Sequence, residues 1–132
     1  MYVETSALVA ILKEEPERDD FLEKVVTAQH PVISVVSKLE AALSVGSWLQ
    51  DYALAGQRVD EAVSRLNVEV IGVPADAYED AVKCYVRYGR GTKTGGKLNF
   101  GDCLSYVMAK KAAAGVILFK GGDFSKTDLI PA

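Results

Sequence analysis

The chain has 132 residues, of which 49% are hydrophobic and 25% charged, with a formal net charge of −3. That suits one domain with one core over residues 1–132, of ordinary globular composition, and the longest apolar runs fall well short of the ~20 residues a membrane span needs. Two cysteines, Cys84 and Cys103, are too few for a disulfide framework or a zinc cluster; they read as buried free thiols. No basic region precedes the apolar N-terminus, so a secretory signal is not expected and the cytoplasm is the expected compartment.

Met1 to Val3 predicts a first buried strand ending at Glu4. Thr5 to Leu12 predicts a short helix, with Thr5 or Ser6 able to cap it. Pro16 suits the first turn of a second helix running to about Ala28, and His30-Pro31 ends that helix. Val32 and Ile33 predict a second strand, and a long, largely apolar helix is expected from about Val35 to Leu54, stopped at Gly56. Val59, Ala62, Val63 and Leu66 have the spacing of an amphipathic helix. Val68 to Val73 is rich in β-branched residues and predicts the strongest strand.

After Pro74, a helix is expected with Tyr78, Ala81, Val82, Tyr85 and Val86 as its apolar stripe. Lys83, Arg87 and Arg90 would lie on the opposite face as a basic ridge, followed by a glycine-rich loop from Gly89 to Lys97. Between Ala81 and Gly101 there is no acid, and Lys93 and Lys97 complete five bases that can meet phosphates despite the acidic whole. The next helix starts near Asn99, carries Lys110 and Lys111 in its last turn, and stops at Gly115. Val116 to Phe119 is the last clear strand, a glycine turn holds Asp123, and Thr127 to Ile130 forms an edge strand. Short apolar strands alternating with helices predict an α/β fold with a parallel sheet covered on both faces.

Four acids stand at the starts or ends of predicted elements: Glu4, Glu40, Asp102 and Asp123. Each has an ordinary explanation. Glu4 lies near a helix N-terminus, where negative charge is favourable. Glu40 completes a capping-box spelling with Ser37. Asp102 falls in the first turn after the N-cap residue Asn99, and Asp123 sits in a turn, where aspartate is common. Taken together they point further. In a parallel sheet the carboxyl ends of the strands and the starts of the following helices share one edge, where ligands bind. Carboxylates held together repel one another and stay ionised together only beside a cation. All-oxygen ligation suits Mg²⁺ or Mn²⁺ rather than zinc, and such a site activates water against a phosphodiester. The only histidine, His30, precedes a proline in a turn, which excludes a triad with a histidine base.

The stretches MYVETSALVAIL, ISVVSKLEAALSV, KLNFGDCLSYVMAKK and ILFKGGDFSKTDL resemble, in order and over essentially the whole chain, the four acidic segments of PIN-domain proteins. More narrowly they resemble VapC-type toxins of bacterial toxin–antitoxin pairs. The resemblance implies a three-layer α/β/α sandwich around a short parallel sheet. It implies Mg²⁺- or Mn²⁺-dependent cleavage of RNA, usually to stop translation. By motif position, Glu4, Glu40, Asp102 and Asp123 would be the metal acids, with Thr5, Ser6 and Asn99 supporting them. A homodimer and a cognate VapB-like antitoxin are also implied. The chain departs from the family at one of these positions, with Glu4 where the family has aspartate. The arm is one methylene longer, and metal ligands need placement within about 0.5 Å, so attenuated activity is the expectation. The competing reading is a degenerate PIN domain that binds RNA or an antitoxin without cutting.

Overall fold

The computed structural model describes residues 1–132. Five short strands form one parallel sheet: β1 (Tyr2–Val3), β2 (Val32–Ser34), β3 (Glu69–Ile71), β4 (Val116–Leu118) and β5 (Ile130–Pro131), in the spatial order β3-β2-β1-β4-β5. Six helices connect and cover it: α1 (Thr5–Leu12), α2 (Arg18–Thr27), α3 (Val35–Leu49), α4 (Tyr52–Arg65), α5 (Ala77–Tyr88) and α6 (Phe100–Ala112). A short 3-10 helix, Asp123–Lys126, lies between β4 and β5.

The three inner strands explain the layering. Successive strand residues point to opposite faces. Tyr2, Val32 and Ile117 pack into one core with Cys84 and Tyr88 of α5 and with Cys103, Met108 and Ala109 of α6. Their neighbours Val3, Ile33 and Leu118 pack into the other core, with apolar residues of α1, α2, α3 and α4. Residues apolar on both faces therefore force a sandwich, and the expected α/β/α arrangement is the one observed. Cys84 and Cys103 are free and buried, also as expected. No helix is long and apolar enough to cross a membrane.

Several boundaries differ from the sequence reading. The helix expected from Val35 to Leu54 is two helices. Gln50 adopts a left-handed conformation (φ 57°), and the Asp51 side chain accepts from the Leu54 amide at 2.9 Å to start α4. Gly56 accordingly lies inside α4 and stops nothing. Pro16 stands ahead of the second helix, which begins at Arg18. The β-branched run at Val68–Val73 yields only the three-residue β3, at the sheet edge, with Glu69 and Val70 exposed and Ile71 half-buried.

The apolar stripe expected on α5 is also displaced. Ala77, Cys84 and Tyr88 are buried, the last two in the core with α6 and the sheet, whereas Tyr78, Val82, Tyr85 and Val86 are exposed. Both faces carry apolar residues; Cys84 and Tyr88 join the core with α6 and the sheet, and of the expected stripe only Ala81 packs against it.

Candidate functional site

The sheet directs β1 and β4 towards one edge. Glu4 follows β1 and is the N-cap of α1. Its carboxylate accepts from the Ser6 amide at 2.7 Å and takes a short hydrogen bond from Ser6 Oγ. Ser6 Oγ in turn accepts from the Lys120 amide at 2.9 Å, just past β4. Ser6 thus joins the ends of the two strands.

Glu40 does not close the capping box its sequence spells. The N-cap of α3 is Ser34, three residues earlier than Ser37, and its side chain accepts from the Ser37 amide. Glu40 thereby falls in the second turn, where Thr5 Oγ1 donates to its Oε2 at 3.1 Å. Gly101 backs directly onto this carboxylate: a Cβ there would stand 3.0 Å from Glu40 Cδ and nearer still to Oε1. Asn99 and Asp102, by contrast, form the expected reciprocal cap. Asn99 Oδ1 accepts from the Asp102 amide at 2.9 Å, and Asp102 Oδ2 accepts from the Asn99 amide at 2.8 Å.

Beneath the edge, a buried chain of hydroxyls ties three elements together. Tyr2 Oη on β1 donates to Ser34 Oγ at 2.8 Å and shares a hydrogen bond with Ser37 Oγ at 2.8 Å. Ser37 Oγ lies 3.1 Å from Ser105 Oγ of α6. Ser37 and Ser105 each stand one helical turn from an acid, Glu40 and Asp102 respectively.

One open cavity of about 190 Å³ is lined by Glu4, Glu40, Asp102 and Asp123 with Thr5, Ser6, Asn99, Lys120 and Phe124. The structure therefore places all four acids and their three neighbours on one cavity. Lys120 and Phe124 join them without having been singled out from the sequence. Their one sequence signal is position, on either side of Asp123 just beyond the last clear strand.

Electrostatics register the crowding. Burial pushes the Glu4 carboxyl above its usual range, hydrogen bonds from Ser6 oppose the rise, and the Asp102 charge adds to it. Burial likewise raises Asp102, opposed by its backbone hydrogen bond from Asn99 and reinforced by the Asp123 charge. Glu4, Glu40 and Asp102 are turned towards protein donors, Asp123 is exposed, and no three of the four gather at metal-binding distance of a common point. The donor set still fits a hard divalent cation, since every acidic ligand offers oxygen and no histidine or cysteine lines the cavity.

The basic residues are distributed differently. Lys83 and Arg87 line a second cavity of about 340 Å³ between α5 and α6, with Tyr88, Tyr106, Lys110 and Lys111. Arg87 lies 4.8 Å over the Tyr88 ring, and Lys83 is 3.8 Å from Asp80. Arg90 is near enough for its charge to favour ionised Asp102. Lys93 and Lys97 are exposed on the loop that closes through the pairing of Gly89 with Leu98.

The PIN-domain family model matches residues 1–129. Ribonuclease VapC30 of Mycobacterium tuberculosis is 39% identical over 130 residues, covering 98% of this chain and 95% of that protein. Ribonuclease VapC of Mycolicibacterium smegmatis is 40% identical over 131 residues, covering 98% and 97%. Among solved structures, Mycobacterium tuberculosis VapC20, described as a Sarcin-Ricin loop cleaving toxin, aligns with a TM-score of 0.76 at 20% identity over 98% of this chain and 95% of its own. VapBC2 from Rickettsia felis, bound to a DNA fragment from their promoter, aligns at 0.75 with 18% identity, covering 99% and 96%. The two solved structures share the fold.

Proposed function

The chain belongs to the PIN-domain family, in its VapC branch, and from that premise we propose that it is the endoribonuclease toxin of a toxin–antitoxin pair. It acts as one PIN-like domain over residues 1–132 and cleaves RNA in the cytoplasm to stop translation. The observation that carries this reading is the convergence of Glu4, Glu40, Asp102 and Asp123 from four separate elements on one cavity. The relatives named ribonucleases at about 39–40% identity support it over the whole chain.

Glu4, Glu40, Asp102 and Asp123 would hold Mg²⁺ or Mn²⁺. When bound, such an ion lowers the pKa of its water and offsets charge on the phosphodiester oxygens. The remaining groups position the acids. Ser6 orients Glu4 through two hydrogen bonds, Thr5 orients Glu40, and Asn99 holds Asp102 through the reciprocal cap. Lys83, Arg87, Arg90, Lys93 and Lys97 provide positive charge for the RNA backbone beyond the cavity. The Glu4 arm is one methylene longer than an aspartate's, which supports attenuation at a site whose ligands need placement within about 0.5 Å.

A VapB-type antitoxin and a second copy of the chain are the proposed protein partners. The Rickettsia felis VapBC2 complex supports the first. The exposed apolar residues Val35, Leu39 and Leu43 on α3, and Tyr78, Val82 and Val86 on α5, supply surface for protein contacts.

The test is RNA cleavage by the purified chain in EDTA, Mg²⁺ and Mn²⁺, beside Asp102→Asn. Cleavage that needs the metal and is lost in Asp102→Asn is expected. RNA bound but uncut under every metal would return the protein to the non-cleaving reading.

A further inference from the structure

Lys120 is the one cation among the residues lining the carboxylate cavity. Its backbone amide donates to Ser6 Oγ at 2.9 Å, so the residue is fixed against the same hydroxyl that orients Glu4. Its ammonium lies 2.7 Å from Glu15 and 2.8 Å from Glu17, two acids between α1 and α2 that do not line the cavity. All three side chains remain about one-third exposed. An ammonium has three N–H donors, so two carboxylates leave one to spare.

The cavity poses a problem for a polyanion. Four acids line it, and a phosphodiester entering it meets repulsion wherever charge is not offset. A cation on a residue that lines the cavity offsets part of that field. The Glu15 carboxylate that accepts from it and the Glu17 carboxylate paired with it hold the Lys120 ammonium above its usual pKa.

We propose that Lys120 is a substrate-contacting residue that binds a phosphate of single-stranded RNA at the cavity mouth, and that Glu15 and Glu17 compete with the RNA for it. This rests on the ribonuclease reading above and names a further contact in the same site. The RNA phosphate takes the spare N–H while the two carboxylates draw on the same positive charge, so the two glutamates set how much binding Lys120 contributes. A purely structural Lys120 would instead staple the end of β4 to the α1–α2 connection and leave RNA affinity unchanged.

The test measures binding of a fluorescent single-stranded RNA in EDTA across a salt series. Cleavage of the same RNA in Mg²⁺ is measured in parallel. Lys120→Met should weaken binding about tenfold, as the loss of one charge-assisted hydrogen bond implies. It should also lower the slope of log affinity against log salt by about 0.7, the share of one phosphate contact on a single strand. Lys120→Arg should keep both. Glu15→Gln with Glu17→Gln should tighten binding while Lys120 is present and have no comparable effect beside Lys120→Met. If Lys120→Met does not fold, Lys120→Gln, which keeps a long arm and a polar end, replaces it in every arm of the test. Equal tightening in both backgrounds, or an unchanged salt slope in folded Lys120→Met, overturns the proposal. Wild-type cleavage with no Lys120 effect removes this contact only, whereas a wild type that never cleaves removes the ribonuclease reading and this inference with it.

Discussion

Gly101→Ala separates the architecture of the site from its stability. Gly101 is buried in the first turn of α6, and its missing side chain is what lets the Glu40 carboxylate approach. A Cβ would stand 3.0 Å from Cδ and 3.1 Å from Oε2, with Oε1 closer than either. Ordinary contact begins near 3.4 Å. The carboxylate must therefore retreat by on the order of 1 Å, a misplacement that can cost about 100-fold in rate. It would also strain the 3.1 Å hydrogen bond from Thr5. The group that moves is the end of a flexible side chain, and alanine is a better helix former than glycine by about 1 kcal/mol, so the fold itself should lose little. The expected outcome is a melting temperature within a few degrees of wild type, with RNA cleavage in Mg²⁺ reduced roughly 100-fold. Measuring both on one preparation checks it. Cleavage within twofold of wild type in Gly101→Ala, while Glu40→Gln abolishes it, would refute the reasoning that the Glu40 carboxylate needs the space Gly101 leaves.

Three further outcomes follow from the same geometry. Glu4→Asp should raise metal-dependent RNA cleavage, since aspartate caps a helix as well and shortens the arm; activity unchanged or lower in a cleavage assay removes the attenuation idea. The raised pKa values of Glu4 and Asp102 give a sign to the pH dependence without metal. The folded protein keeps their protons longer than the unfolded chain, so their contribution to stability is full below the ordinary values of 4.5 and 3.8 and is lost as pH rises through the raised ones. Chemical denaturation in EDTA should show stability falling as pH rises from about 4.5 towards neutrality, less steeply in Glu4→Gln, and a slope of the opposite sign in that window would contradict it. Gly46→Ala should destabilise the fold by about 1–3 kcal/mol, because its Cβ would collide with the Tyr52 ring and backbone where α3 turns into α4. Its melting temperature should drop while cleavage per folded molecule is retained.

Much of this protein is written locally. The run Met1 to Val3 followed by Glu4, and Val116 to Phe119 followed by Asp123, announce strands that end in acids, because a buried strand needs apolar residues on both faces and a polar stop. Asn99 and Asp102 spell their cap at the spacing the first helical turn requires, and the structure forms it. The same logic also offers Glu40 a capping box that it does not close. Ser37 and Ser34 both offer a capping hydroxyl, and only the end of β2 decides that Ser34 takes the role and leaves Glu40 free for the cavity. On α5 the period is sound but most of the expected stripe is not buried, because two apolar faces compete and packing against α6 and the sheet selects the one with Cys84 and Tyr88. Lys120 carried no local signal at all. Its meaning comes from partners 103 and 105 residues away, brought to it when α1 folds back from β1 beside the end of β4. Sequence thus determined which groups stand at the sheet edge, through patterns spanning a turn or a strand. Tertiary structure decided which of them meet, because a shared cavity depends on how the strands are ordered and no short window of the chain contains that order.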